Sequence, residues 1–255
     1  VNFNIKTIKF DSEYEDENWE IDPDVISKLE KNGDIEKFEN LRSNNLDDIL
    51  TNVYWKITPN QILSEVSHLN FYTDDEMNDY AEVVRPYDGT YKRSFTVHFD
   101  LLDFFPDGKN LNKQFFIATA IHENAHILSL QYDQGDRNTI SINDPEFNEK
   151  EKKNREKCEP QFYTYDAGCM YENSYLNQFY HEYWDNIYDE WSQKTNYGLD
   201  EEGRYDFYQK YKLYFVTDYA ATNPEEDFAE SFMMFVLKDK ISPSSIAEQK
   251  ISFFY

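Results

Sequence analysis

The opening residues VNFNIKTIKF largely alternate apolar and polar positions, which predicts a half-buried strand. A longer period follows. In DPDVISKLEKNG, Asp22 is placed to cap a helix, with Pro23 in its first turn and Gly33 at its end. TPNQILSEVSHL repeats that grammar through Thr58 and Pro59, so a second helix is expected there, with His68 as a surface or packing residue. Two strand-like runs come next, YAEVVRPY from Tyr80 and RSFTVHFDLL from Arg93, joined through the turn-like DGTYK. They predict a hairpin in which His98 is a sheet residue.

After the turn FPDGKN, the spacing predicts a helix from about Asn112 to Gln131. Between Phe115 and Leu130 it is apolar on most of its circumference, the mark of a largely buried helix. DQGDRNTISINDPEFNEKEKKNREK is polar and weakly periodic and reads as an exposed excursion. SYLNQFYHEYWDNIYDEWSQK predicts a helix with an aromatic face, where His181 is structural, and a last clear helix opens at NPEEDFAESFMMFVLK. Without repeats or a Pro/Gly/Ser-rich linker, one α+β domain spanning 1–255 is the simplest organisation. It would be helix-rich with a small mixed sheet, its N-terminal part ending at about residue 75 and its core covering about 76–255.

Composition narrows the function classes. The 255 residues are 40% hydrophobic and 18% aromatic, enough for a sizeable core. Against 25 Lys+Arg stand 50 Asp+Glu, a net charge of -25 that repels nucleic acid and anionic membrane surfaces. No apolar run reaches the ~18–20 residues of a bilayer span. The chain begins at Val1, and a signal or lipid-anchor segment preceding it is an expectation. Cys158 and Cys169 bracket EPQFYTYDAG; their spacing fits neither a CxxC redox pair nor a zinc ribbon and suits a small disulfide loop. Such a loop favours an oxidising compartment.

The chemistry concentrates in IHENAHIL. His122 and His126 are four residues apart, so on a helix both rings leave the same face and can reach one ion. Glu123 lies beside them, able to approach a water on that ion without being a ligand, which is the HExxH arrangement for zinc. A catalytic zinc takes three protein ligands and keeps one position open. The metzincin extension is excluded, because Ser129 and Tyr132 stand where it needs Gly and His. NPEEDFAESF supplies carboxylates instead. Asn223 would cap the helix and Glu226 could merely close a capping box. At ~100° per residue, however, Glu226, Glu230, Met233 and Leu237 share one stripe, which makes Glu226 the third ligand. Glu230, one turn on, would orient a ligand histidine through its other ring nitrogen. Glu225 would point elsewhere, into solvent.

HENAH followed far downstream by YAATNPEEDFAESF resembles the gluzincin metallopeptidases related to the anthrax toxin lethal factor catalytic domain. It is still more similar to the bacterial putative zinc-binding metallopeptidases, many of them exported or lipid-anchored. The resemblance covers chiefly Phe115 to Leu130 and Thr217 to Leu237. It implies a zincin-like fold, one zinc held by His122, His126 and Glu226, Glu123 as general base, and Tyr219 as a hydrogen-bond donor to the developing oxyanion. The interval between the two motifs is much longer than in lethal factor and contains the cysteine loop. A secreted or surface monomer hydrolysing a peptide or protein substrate is expected, the substrate lying along RSFTVHF as an edge strand. The alternative is a non-catalytic surface binding protein that retains the zinc.

Overall fold

Residues Asn4–Thr7 form strand β1, and the computed structural model describes residues 4–7, 34–73, 79–84, 95–137, 140, 144–239 and 242–255. The expected helix around Asp22 and Gly33 and the turn DGTYK lie outside these residues. Helices α1 (Asp34–Ser43) and α2 (Leu46–Ile57) follow. The helix expected from Thr58 is a single short turn, α3 (Asn60–Leu63), after which the chain extends as β2 (Val66–Tyr72), so His68 is a half-buried strand residue. Strands β3 (Ala81–Val84) and β4 (Phe95–Asp100) pair antiparallel as the sequence predicts. Asp100 then caps α4 (Leu101–Phe104), its Oδ1 accepting from the Leu102 N–H at 2.7 Å.

The mixed sheet has the order β1-β2-β4-β3, with β1 and β4 both parallel to β2. This corrects the expected edge. RSFTVHF contributes β4, which is hydrogen-bonded on both sides, and the edge beside it is β3. One face carries Leu69, Phe71, Val97 and Phe99, all buried. Phe99 meets the rings of Tyr54 at 5.7 Å and Phe116 at 5.0 Å, which seats the sheet on α2 and on the buried helix α5 (Lys113–Ser129). The other face carries His68, Asn70, Thr96 and His98, as the two-residue period requires.

Beyond α5 comes α6 (Phe147–Cys158), in the stretch expected to be an exposed excursion. It buries Phe147, Glu151 and Cys158 and leaves its lysines outward. The disulfide expected between Cys158 and Cys169 is present and joins α6 to a small hairpin, β5 (Tyr163–Thr164) and β6 (Gly168–Cys169). The long aromatic helix is two, α7 (Tyr175–Tyr183) and α8 (Tyr188–Thr195), separated at Trp184. Then come α9 (Glu201–Lys210), a 3-10 turn at Tyr219–Ala221, α10 (Pro224–Leu237) and α11 (Ile246–Ser252). His181 on α7 pairs with Asp185 at 2.9 Å near the surface.

The architecture is therefore α+β, helix-rich with a small mixed sheet. Two compact units divide the chain, Val1–Asn124 and Ala125–Tyr255, and the division falls inside α5, which is unbroken. Among the described residues no helix is long and apolar enough to cross a membrane.

Burial first, and His68 nearby second, push the His98 imidazole down to about 4. The Glu82 carboxylate 4.0 Å away is half exposed and does not offset the burial. An unfolded histidine takes up its proton near ~6.5, so the unfolded chain gains protons that folded His98 refuses. The resulting stability is complete above that value and is lost as pH falls towards about 4. Urea unfolding of the protein and of His98→Gln at about pH 7 and about pH 4.5 should give a shallower pH dependence in the variant. The difference is at most about 3 kcal/mol; equal slopes would show that His98 is not held neutral.

A candidate metal centre

Helix α5 starts where Asn112 Oδ1 accepts from the Phe115 N–H, at 3.4 Å, and it is buried nearly all round. Its polar residues must therefore find partners inside the protein. Asn124 does so at both ends of its amide: Oδ1 accepts from the Tyr54 hydroxyl at 2.9 Å and Nδ2 donates to Thr58 Oγ1 at 3.1 Å. Those bonds lock the rotation of the helix at the motif. Glu123 is buried beside Asn124, close enough to Tyr54 for its charge to help raise the phenol above its ordinary range, after burial itself.

One turn apart on α5, His122 and His126 converge with Glu226 of α10, each offering one ligand atom within 4.8 Å of the others. His126 Nε2 and Glu226 Oε2 are 3.4 Å apart. Two ligands ~2.0–2.1 Å from one tetrahedral ion are separated by about 3.3–3.4 Å, so this edge fits a shared metal. Two imidazoles and a carboxylate are also a chemically suitable donor set for a first-row divalent ion. His68 and His98 stand in β2 and β4 and His181 on α7, apart from this group.

Helix α10 begins as expected. Asn223 Oδ1 accepts from the Glu226 N–H at 2.7 Å, with Pro224 in the first turn. The Glu226 side chain is turned to His126. The apolar stripe is shorter than expected, since Met233 is buried but Leu237 is exposed.

Glu225 overturns its expectation. It is buried, not solvated, and hydrogen-bonds to Thr164 of β5. Burial, only partly offset by Thr164, pushes its carboxyl up to about 7. Glu230 is buried as well, and its Oε2 accepts from Thr217 Oγ1 at 2.7 Å. Thr217 Oγ1 in turn accepts from the Ala220 N–H at 3.1 Å, so Glu230 steadies the 3-10 turn carrying Tyr219. Tyr219 itself is 52% exposed.

Tyr165, in the β5–β6 turn, is a neighbour the sequence does not disclose. Its hydroxyl is held well above the ordinary phenol range by Asp166, then by burial and by Glu225, Glu226 and Tyr219. It remains a neutral hydrogen-bond donor in the field of the same carboxylates. Nothing in its local pattern distinguishes it among 21 tyrosines.

Two outcomes follow from this geometry. Asn124→Ala removes the bond from the buried Tyr54 hydroxyl and the bond to Thr58, and a loss of about 1–3 kcal/mol in urea unfolding is expected; an unchanged midpoint would mean the bridge does not hold the helix. Apo-protein titrated with zinc should take up one equivalent. Glu226→Ala should weaken that uptake by at least about 100-fold, since a bound structural zinc is worth roughly 10–16 kcal/mol shared among its ligands. Uptake unaffected by the substitution would remove Glu226 from the site.

Compared with known proteins, the chain matches no family model, no curated protein and no solved structure, so the site is interpreted from its own residues.

Proposed function

We propose that this protein is a zinc-dependent peptidase of the gluzincin type, with a zincin-like fold, related to the putative zinc-binding metallopeptidases and the lethal factor catalytic domain. The observation that carries this is the convergence of His122, His126 and Glu226 with a buried Glu123 next in sequence to the first ligand. Three protein ligands with one position open to water is the pattern of a catalytic zinc rather than of a closed structural one, and a group of three among the described residues is compatible with it. The cross-linked cysteines support an oxidising compartment, hence a secreted or surface-exposed enzyme.

Zinc held by these three residues would supply Lewis acidity, polarising the scissile carbonyl and lowering the pKa of a bound water. The chain's own groups do the rest. Glu123 takes a proton from the attacking water and delivers it to the nitrogen of the leaving amine as the C–N bond breaks, giving a carboxylate and an amine. Tyr219, half exposed, donates a hydrogen bond to the oxygen on which charge develops. Glu230, whose Oε2 accepts from Thr217, steadies the 3-10 turn that carries Tyr219, and orienting a ligand histidine is the further role assigned to it in this reading.

The test is digestion of a diverse peptide library by the zinc-loaded protein, read by mass spectrometry beside Glu123→Gln. Cleavage by the protein, and a loss of about 100- to 10,000-fold in the variant while it still holds zinc, is the expected result. Peptides left intact by both proteins, each with zinc bound, would replace hydrolysis with a binding role.

A further inference from the structure

The first turn of α10 carries three consecutive carboxylates, Glu225, Glu226 and Asp227, which leave the helix about 100° apart. Each has its own address. Glu225 meets Thr164, Glu226 meets His126, and Asp227 is wholly buried against Lys250 of α11. The Lys250 Nζ donates to Asp227 Oδ2 at 2.5 Å, and the Trp184 Nε1–H donates to the same oxygen at 2.8 Å. Both charged side chains are 0% exposed. Aromatic faces cage the ammonium, Phe215 at 4.2 Å and Tyr214 at 4.3 Å, which leaves the lysine little freedom.

A buried ion pair is a poor source of stability, because the desolvation of both charges consumes most of their attraction. Its best-attested use is to fix one arrangement among several. Here the pair adjoins the third metal ligand. Lys250 also stands on a firm base, because a capping box of Ser245 and Glu248 starts α11, the Tyr183 hydroxyl donates to Gln249 O at 3.2 Å, and Phe254 packs against Phe228 of α10 at 5.1 Å.

We propose that Lys250 is a positioning residue for the metal centre: by holding Asp227 from α11, it fixes the rotation of the first turn of α10 and so the aim of Glu226. This rests on the metal-site reading above. The C-terminal helix thereby becomes part of the site without touching an ion.

The test compares the 255-residue protein with Asp227→Asn/Lys250→Met, which removes both buried charges and leaves an acceptor for Trp184. Zinc affinity is measured by competition with a chromophoric chelator, the cobalt-loaded absorption spectrum reports the ligand set, and the melting of the apo-protein reports the fold. Zinc binding weakened by about 10- to 100-fold is expected at near-unchanged apo melting, with the cobalt spectrum moved towards that of Glu226→Ala. Affinity and spectrum like those of the parent protein would overturn the proposal, as would a loss that only follows a fall in melting temperature. If the double variant does not fold, Trp184→Phe, which removes the second donor to the same oxygen, decides by the same readouts, a smaller loss in the same direction being expected. Absence of zinc binding by the parent protein in the same titration would instead bring down the metal-site reading together with this inference.

Discussion

Two imidazole nitrogens and a carboxylate oxygen gathered this closely repel one another unless a proton or a metal ion lies among them, and that requirement governs the centre of this protein. His126 Nε2 and Glu226 Oε2 approach to 3.4 Å, with a His122 nitrogen within 4.8 Å of both. A proton can serve one pair of these atoms; a divalent ion can serve all three. The cost of gathering them is visible in α5, where Asn124, between the two histidines, is committed elsewhere. Its Oδ1 is bonded by Tyr54 and its Nδ2 by Thr58, so turning it towards the cluster would break both bonds. The net charge of -25 adds a long-range bias in the same direction, raising the local concentration of cations around the whole molecule.

The opening of α10 solves a related problem, that of three acidic side chains in one turn. The helix N-terminus is the electropositive end and stabilises negative charge there, but by only ~0.3–1 kcal/mol per group. Separate surroundings do more. Glu225 avoids repulsion by tending towards the neutral form, burial having pushed it up to about 7. Asp227 is neutralised by Lys250, and Glu226 alone is turned towards the histidines. The candidate ligand, Glu226, is also the most accessible of the three: its side chain is 17% exposed, whereas that of Asp227 is not exposed at all.

The parts legible in the sequence are those whose geometry is local. A four-residue interval on a helix places two rings on one face whatever the tertiary fold, so His122 and His126 can be paired without coordinates, and Asn223-Pro224 marks a helix start by its own chemistry. Strand β2 is hidden because Ile62, Val66 and Leu69 recur at helical spacing across what is in fact a short turn followed by a strand. Strand order has no signature within a single strand: FTVHFD reads the same at an edge or inside, and only pairing with both β2 and β3 shows β4 to be internal. Glu225 is misread for a similar reason. Helical phase correctly turns it away from Glu226, but whether that direction is solvent or protein depends on β5, which is remote in sequence. Helix α6 shows so few apolar positions that its single buried stripe is weaker than its charge pattern.

The interval between the two halves of the candidate site has a structural part in it. It contains α6, the Cys158–Cys169 bond and the β5–β6 hairpin, whose Thr164 pairs in register with Gly168 next to the cross-linked Cys169. Thr164 is the hydrogen-bond partner that partly offsets the burial of Glu225, and Tyr165 beside it feels the charge of Asp166 first and then of Glu225 and Glu226. Closing the loop covalently limits how far β6 can move from the end of α6, and β5 is paired to β6. The cross-link therefore acts on one flank of the turn that presents Glu226, while Lys250 acts on the other. A ligand that must stay reachable by an ion cannot be fixed by its own burial. In this chain the fixing falls to the residues immediately before and after it, each buried and each tied to a different element.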